Sequence, residues 1–131
     1  MIVVDASVAI ELLLRSPAAG PIEARVFALG ETLHAPHLLD LEVAQVVRRY
    51  WRSGEIKAER GRQALEDLLD LPIVRYPHDV LLTRVWELRQ NVTAYDAAYL
   101  ALAEALAAPL LTCDGRLASA PGHHARVEVM P

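Results

Sequence analysis

The stretch NVTAYDAAYLALAEALAAPLLTCDGRL, residues 91–117, holds the unit from which the fold is built. An Ala- and Leu-rich helix is expected from about Thr93 to Ala108, Pro109 interrupts it, and LLT at 110–112 reads as a short buried strand. Asp96 stands where that helix should be apolar: at about 100° per residue it lies between Tyr99 and Leu100, above Ala103 and Ala107. Asp114 follows directly on the apolar run PLLTC. A buried carboxylate is costly unless it is paired or coordinated. Two in one short stretch suggest a positively charged partner that the sequence does not supply.

Outward from this stretch the same alternation recurs. MIVVD at 1–5 is a β-branched run ending in an aspartate, the pattern of a fully buried parallel strand. ASVAIELLL follows as a helix closed by RSPAAGP, then IEARVFALG as a helical piece ending at Gly30, and ETLHAP as a second strand. HLLDLEVAQVVRRYWRSG is an amphipathic helix stopped by Gly54, and EIKAERGRQALEDLLDL another, ended by Pro72. PIVRYP is a strand bounded by prolines, DVLLTRVWELRQN a helix ending near Asn91, and RVEVM an edge strand with alternating apolar positions. Strands alternating with helices predict an α/β fold of three layers, α/β/α, with a mainly parallel central sheet.

With 131 residues, 53% of them hydrophobic, the chain fits a single domain over 1–131 with a real core. No apolar run is long enough for a membrane-spanning helix, and MIVVD has no basic region before it, so a cytoplasmic protein is expected. The lone Cys113 fits a reducing compartment. A net charge of −4 argues against holding nucleic acid by a general positive field, unless part of that negative charge serves to hold divalent cations. Lys57 is the only lysine among 13 Lys and Arg residues, which excludes a P-loop and disfavours Schiff-base chemistry.

Four acids stand out. Asp5 and Asp114 each follow a strand, where open parallel sheets bind ligands, although DASV also suits a helix N-cap and DG a turn. Asp96 has the spacing of a capping box with Thr93, so capping and a ligand role can coincide there. Glu42 falls between Leu38 and Val46 on the stripe formed by Leu39, Val43, Val46 and Tyr50; snorkelling, or pairing with an arginine such as the nearby Arg49, would also account for it. Asp40, at the edge of that stripe, reads as a solvated acid. Four carboxylates converging on one cleft repel each other unless cations neutralise them, and an all-oxygen site of this type suits Mg²⁺ or Mn²⁺.

On these residues the chain resembles the PIN-domain ribonucleases, and most of all the VapC toxins of toxin–antitoxin pairs. The resemblance runs from MIVVDASVAIELLL through LLDLEVAQVVRR to TAYDAAYLALAEALAAPLLTCDGRLA. It implies an acidic site at Asp5, Glu42, Asp96 and Asp114, supported by Thr112 and Ser7. It further implies Mg²⁺- or Mn²⁺-dependent cleavage of RNA, a homodimer, and inhibition by a cognate VapB-like antitoxin.

Other readings are weaker. An aspartyl phosphatase would want an acid where Ser7 stands. A PIN-fold RNA-processing nuclease that is not a toxin, or an inactive binding module of the same fold, stays open as an alternative. Arg49 and Arg52, with Arg48 and Trp51, form a basic patch that could be a solvated face or contact RNA, and Arg116 is a second candidate for holding phosphate. His34 and His37, near the end of the second strand, and the pair His123 and His124 lack zinc-site spacing and are expected in solvated loops.

Overall fold

Ile2, Val3 and Val4 are all buried, which requires a strand with neighbours on both edges and cover on both faces. The computed structural model, which describes residues 1–131, places them as β1 (Ile2–Val4) at the centre of a five-stranded sheet. The other strands are β2 (Leu33–Pro36), β3 (Ile73–Tyr76), β4 (Leu110–Thr112) and β5 (Val127–Val129). Their order is β3-β2-β1-β4-β5 and every pairing is parallel. Ile2 lies opposite Leu33, and Val3 opposite Leu110.

Seven helices cover the sheet: α1 (Ala6–Leu14), α2 (Ala19–Val26), α3 (Leu38–Arg52), α4 (Ala58–Asp70), α5 (Leu82–Glu87), α6 (Ala94–Leu106) and α7 (Gly115–Ser119). α1 packs with α2, α3 and α4, whereas α5 packs on α6, which lies over β1, β2 and β4. The seven consecutive residues Ala97–Ala103 of α6 are all buried, as expected of a helix apolar around most of its circumference. Ala107 ends α6 in the left-handed conformation, φ 50°, where a glycine is the usual choice. No helix is long and apolar enough to cross a membrane.

Several local expectations are corrected. α2 runs from Ala19 to Val26 and does not reach Gly30. Pro21 sits in its first turn, where a missing N–H costs nothing, and Phe27 and Leu29 beyond it are exposed. α5 is only six residues long, preceded by a 3₁₀ turn at Asp79–Leu81. α7 stands where Asp114–Gly115 leads one to expect a turn. α4 starts at Ala58 with Lys57 as its N-cap residue, and not at Glu55.

His34 is not a loop histidine. It is buried within β2, its ring nitrogens hydrogen-bonded to the hydroxyls of Thr32 (2.8 Å) and Tyr76 (2.7 Å), and burial pushes its pKa down. Asp40 is not a free surface acid either, because Arg75 of β3 grips it with two hydrogen bonds of 2.8 and 3.0 Å. The buried face of α3 carries Leu39, Val43 and Val47, with Val46 and Tyr50 partly covered at its margin.

Candidate metal centre

The strand order determines where a site can lie. The chain leaves β1 for β2 and β3 on one side and reaches β4 and β5 on the other. The crevice is therefore at the carboxyl ends of β1 and β4, the switch point of an open parallel sheet. Asp5 follows β1 immediately, and Asp114 comes two residues after β4. α6 leads into β4 and carries Asp96 in its first turn, while α3 follows β2 and carries Glu42 in its second.

Asp5 is the best-fixed of the four, with only 7% of its surface exposed. It caps α1, accepting from the Val8 N–H at 3.1 Å. The Ser7 hydroxyl donates to Oδ1 at 2.6 Å, and the fully buried Thr112 hydroxyl donates to Oδ2. The same two hydroxyls accept from the next loop: Ser7 Oγ from the Cys113 N–H at 2.9 Å, Thr112 Oγ1 from the Asp114 N–H at 3.0 Å. Ser7 and Thr112 thus tie the loop after β1 to the loop after β4. Burial nevertheless outweighs the donors and raises the Asp5 pKa.

Glu42 is held by Tyr99, not by Arg49. The Tyr99 phenol, on α6, donates to Oε1 at 2.6 Å. Burial raises the Glu42 pKa, and the charges of Asp96 and Asp5 add to the effect. Asp96 is raised by burial and by the charges of Asp114 and Asp5, while Thr93 caps the helix below it. Three carboxylates are therefore destabilised as anions by burial, two of them, Glu42 and Asp96, also by the charge of neighbouring acids.

Asp114 differs. Its partner was in the sequence after all: Arg116 donates from Nε to Oδ1 at 3.1 Å and from Nη2 to Oδ2 at 2.9 Å, which holds its pKa below the usual range. Asp114 also caps α7 through the Arg116 N–H. With Asp114 turned to Arg116 and Glu42 to Tyr99, no three side chains close into a ready-made metal cage. The donor set is nonetheless all carboxylate oxygen, the chemistry that fits a hard dication such as Mg²⁺ or Mn²⁺.

A cavity of about 600 Å³ opens beside these acids. Asp96, Asp114 and Arg116 line it, and so do Arg89, Gln90 and Asn91 from the segment joining α5 to α6. Arg49 and Arg52 lie exposed near the far end of α3 and are not part of its wall. Two further parts of the site are fainter in the sequence: Tyr99, whose hydroxyl on an otherwise apolar face signals a buried partner, and the polar run Arg89–Asn91, whose signal is its position just before the helix bearing Asp96.

This architecture is that of a PIN domain, and the PIN domain family matches residues 2–122. The chain belongs to that family. It is 42% identical over 130 residues to ribonuclease VapC12 of Mycobacterium tuberculosis, covering 99% of each chain. It is 48% identical over 121 residues to ribonuclease VapC1 of the same organism, covering 92% of this chain and 90% of that one. Among solved structures it resembles VapBC2 from Rickettsia felis, crystallised with a DNA fragment from the VapBC2 promoter, with a TM-score of 0.67, 14% identity and full coverage of both chains.

Proposed function

We propose that this protein is a divalent-metal-dependent endoribonuclease, the toxin of a VapBC-type pair acting in the cytoplasm. The observation that carries the reading is the run of three acids, Asp5, Glu42 and Asp96, each raised by burial and two of them by a neighbouring acid's charge. They lie along the switch-point crevice of a fold whose relatives are named ribonucleases. Such a cluster is poor as a set of free anions and good as a holder of a cation.

Asp5, Glu42, Asp96 and Asp114 would hold Mg²⁺ or Mn²⁺. A dication bound there supplies an activated water and a positive charge for the phosphodiester oxygens. The chain's own part is positioning. Ser7 and Thr112 fix the Asp5 carboxylate, Tyr99 fixes Glu42, and the Thr93 cap fixes the turn that carries Asp96. Arg116, 89% exposed on Asp114, is free to swing onto a phosphate.

A homodimer belongs to this reading, supported by exposed apolar residues Leu41, Leu82 and Tyr95 around adjoining hollows between α3, α5 and α6. A VapB-like antitoxin is the partner expected from the family. The deciding experiment incubates purified protein with a structured RNA pool in Mg²⁺, Mn²⁺ or EDTA. Endonucleolytic products that need metal support the reading, and intact RNA in all three overturns it.

A further inference from the structure

Resting on that reading, we propose that the segment Arg89–Gln90–Asn91 is the base-selecting wall of the site, seating one nucleotide of the RNA beside the scissile phosphate. The cavity it shares with Asp96, Asp114 and Arg116 has a volume of about 600 Å³, within the roughly 300–1,000 Å³ usual for small-ligand sites. Its charges are distributed to suit a phosphodiester. Arg89 and Arg116 contribute two positive charges and Asp96 and Asp114 two negative ones, a sum of zero. One dication held by the acids would leave this wall at +2 and, with Asp5 and Glu42 counted, the site as a whole at zero. The repulsion that a net charge of −4 sets against RNA is then cancelled locally, and the two arginines on the wall supply the attraction.

Arg89 is prepared for this role. Its guanidinium lies 4.5 Å from the centre of the Trp86 ring and donates to the Trp86 carbonyl at 2.9 Å. Stacking fixes the plane of the fork while leaving it exposed. Gln90 and Asn91 are exposed, and neither side-chain amide takes part in the protein's own hydrogen bonds, although Asn91 Nδ2 lies against Gly122. A primary amide presents a donor and an acceptor side by side, the pattern that pairs with a base edge. Neutral amides next to two arginines therefore divide the work: the arginines bind phosphate of any sequence, and the amides distinguish bases.

The test compares the parent protein with Arg89→Ala, Gln90→Ala and Asn91→Ala, and with Arg62→Ala on α4 as a control for lost surface charge. Cut sites are mapped on a randomised single-stranded RNA pool. Anisotropy of fluorescein-labelled A₆, C₆, G₆ and U₆ reads binding separately, and the Mn²⁺-induced rise in melting temperature reports an intact metal site. The expected result is a base preference beside the parent's cut that Gln90→Ala or Asn91→Ala flattens about tenfold. Arg89→Ala should weaken all four hexamers about fivefold and lower the salt dependence of binding. The Mn²⁺ rise should be unchanged throughout. Unaltered base preference in both amide variants overturns the proposal, as does loss of the Mn²⁺ rise, which would mean a structural role. If the parent does not cleave RNA, the nuclease reading fails, and anisotropy still decides this one: equal hexamer binding by parent and variants, or none by the parent, overturns it.

Discussion

The Tyr99 phenol donates to Glu42 Oε1 at 2.6 Å and so joins α6 to α3 across the crevice, 57 residues apart in the chain. Tyr99 is 2% exposed, and burial together with the Glu42 charge drives its pKa well above the ordinary phenol value, so it is a permanent donor. Tyr99→Phe should cost about 1 kcal/mol of stability. With Glu42 freed, metal affinity or cleavage should fall about tenfold, the usual effect of losing an outer hydrogen-bond partner. Calorimetric Mn²⁺ titration and a cleavage time course check this. Parent-level affinity and rate in the variant would remove Glu42 orientation as the purpose of the bond.

Asp5→Asn, Glu42→Gln and Asp96→Asn each keep shape while removing a negative charge. For Asp5, which caps α1, asparagine is about as good a cap, so a capping role alone predicts activity close to that of the parent. A metal-holding role predicts losses of orders of magnitude with the fold retained. Asp40→Asn is unsuitable as a control because it breaks the paired hydrogen bonds from Arg75. Glu66→Gln, exposed on α4, serves instead. An Asp96→Asn protein that cleaves like the parent would refute the shared-metal site.

Thermal stability should rise with metal. A cation bound only by the folded chain stabilises it by RT ln(1 + [L]/Kd), about 1.4 kcal/mol at ten times Kd. For a chain of this size that is a shift of about 5 °C. Melting curves in EDTA, Mg²⁺ and Mn²⁺ provide the measurement, and identical midpoints at millimolar metal would contradict the proposal.

Glu104 gives the pH prediction, away from the crevice. It accepts from Arg84 at 2.7 and 3.0 Å and from the His124 N–H at 2.6 Å, and its pKa is lowered chiefly by the Arg84 hydrogen bonds. A carboxyl with a lowered folded pKa binds fewer protons when folded than when unfolded. Its contribution is therefore full above the unfolded value near 4.3 and is lost as pH falls through the lower folded value. Glu104→Gln should cost about 2 kcal/mol at pH 7. The gap between variant and parent should close on acidification below pH 4. A pH-independent gap in urea midpoints would show that packing, not charge, is responsible.

The elements were legible wherever periodicity ran for several turns or strands were β-branched and fully buried, as in β1, α3 and α6. α7 was not, because five residues are too short for a period, and Asp114–Gly115 reads equally well as a turn. The four acids were visible because each contradicts its surroundings. Their partners were mostly not. Arg75 and Asp40 meet only because β3 lies beside β2, and Ser7 and Thr112 only because β4 lies beside β1. Strand order is a tertiary property that no local pattern contains. His34 is hard to place for the same reason: its polarity suggests solvent, and the hydroxyls that satisfy it come from Thr32, two residues before it, and Tyr76, 42 residues after it.

The hydrogen bond from Thr112 to Asp5 spans 107 residues, and this separation has a consequence during synthesis. The first strand leaves the ribosome early, and it stays without its neighbour β4 until the residues between them have been made and have left the exit channel. Under the proposed activity the nascent polypeptide is therefore unarmed until β4 has emerged. Premature termination anywhere before β4 yields an inert fragment and not a weaker poison.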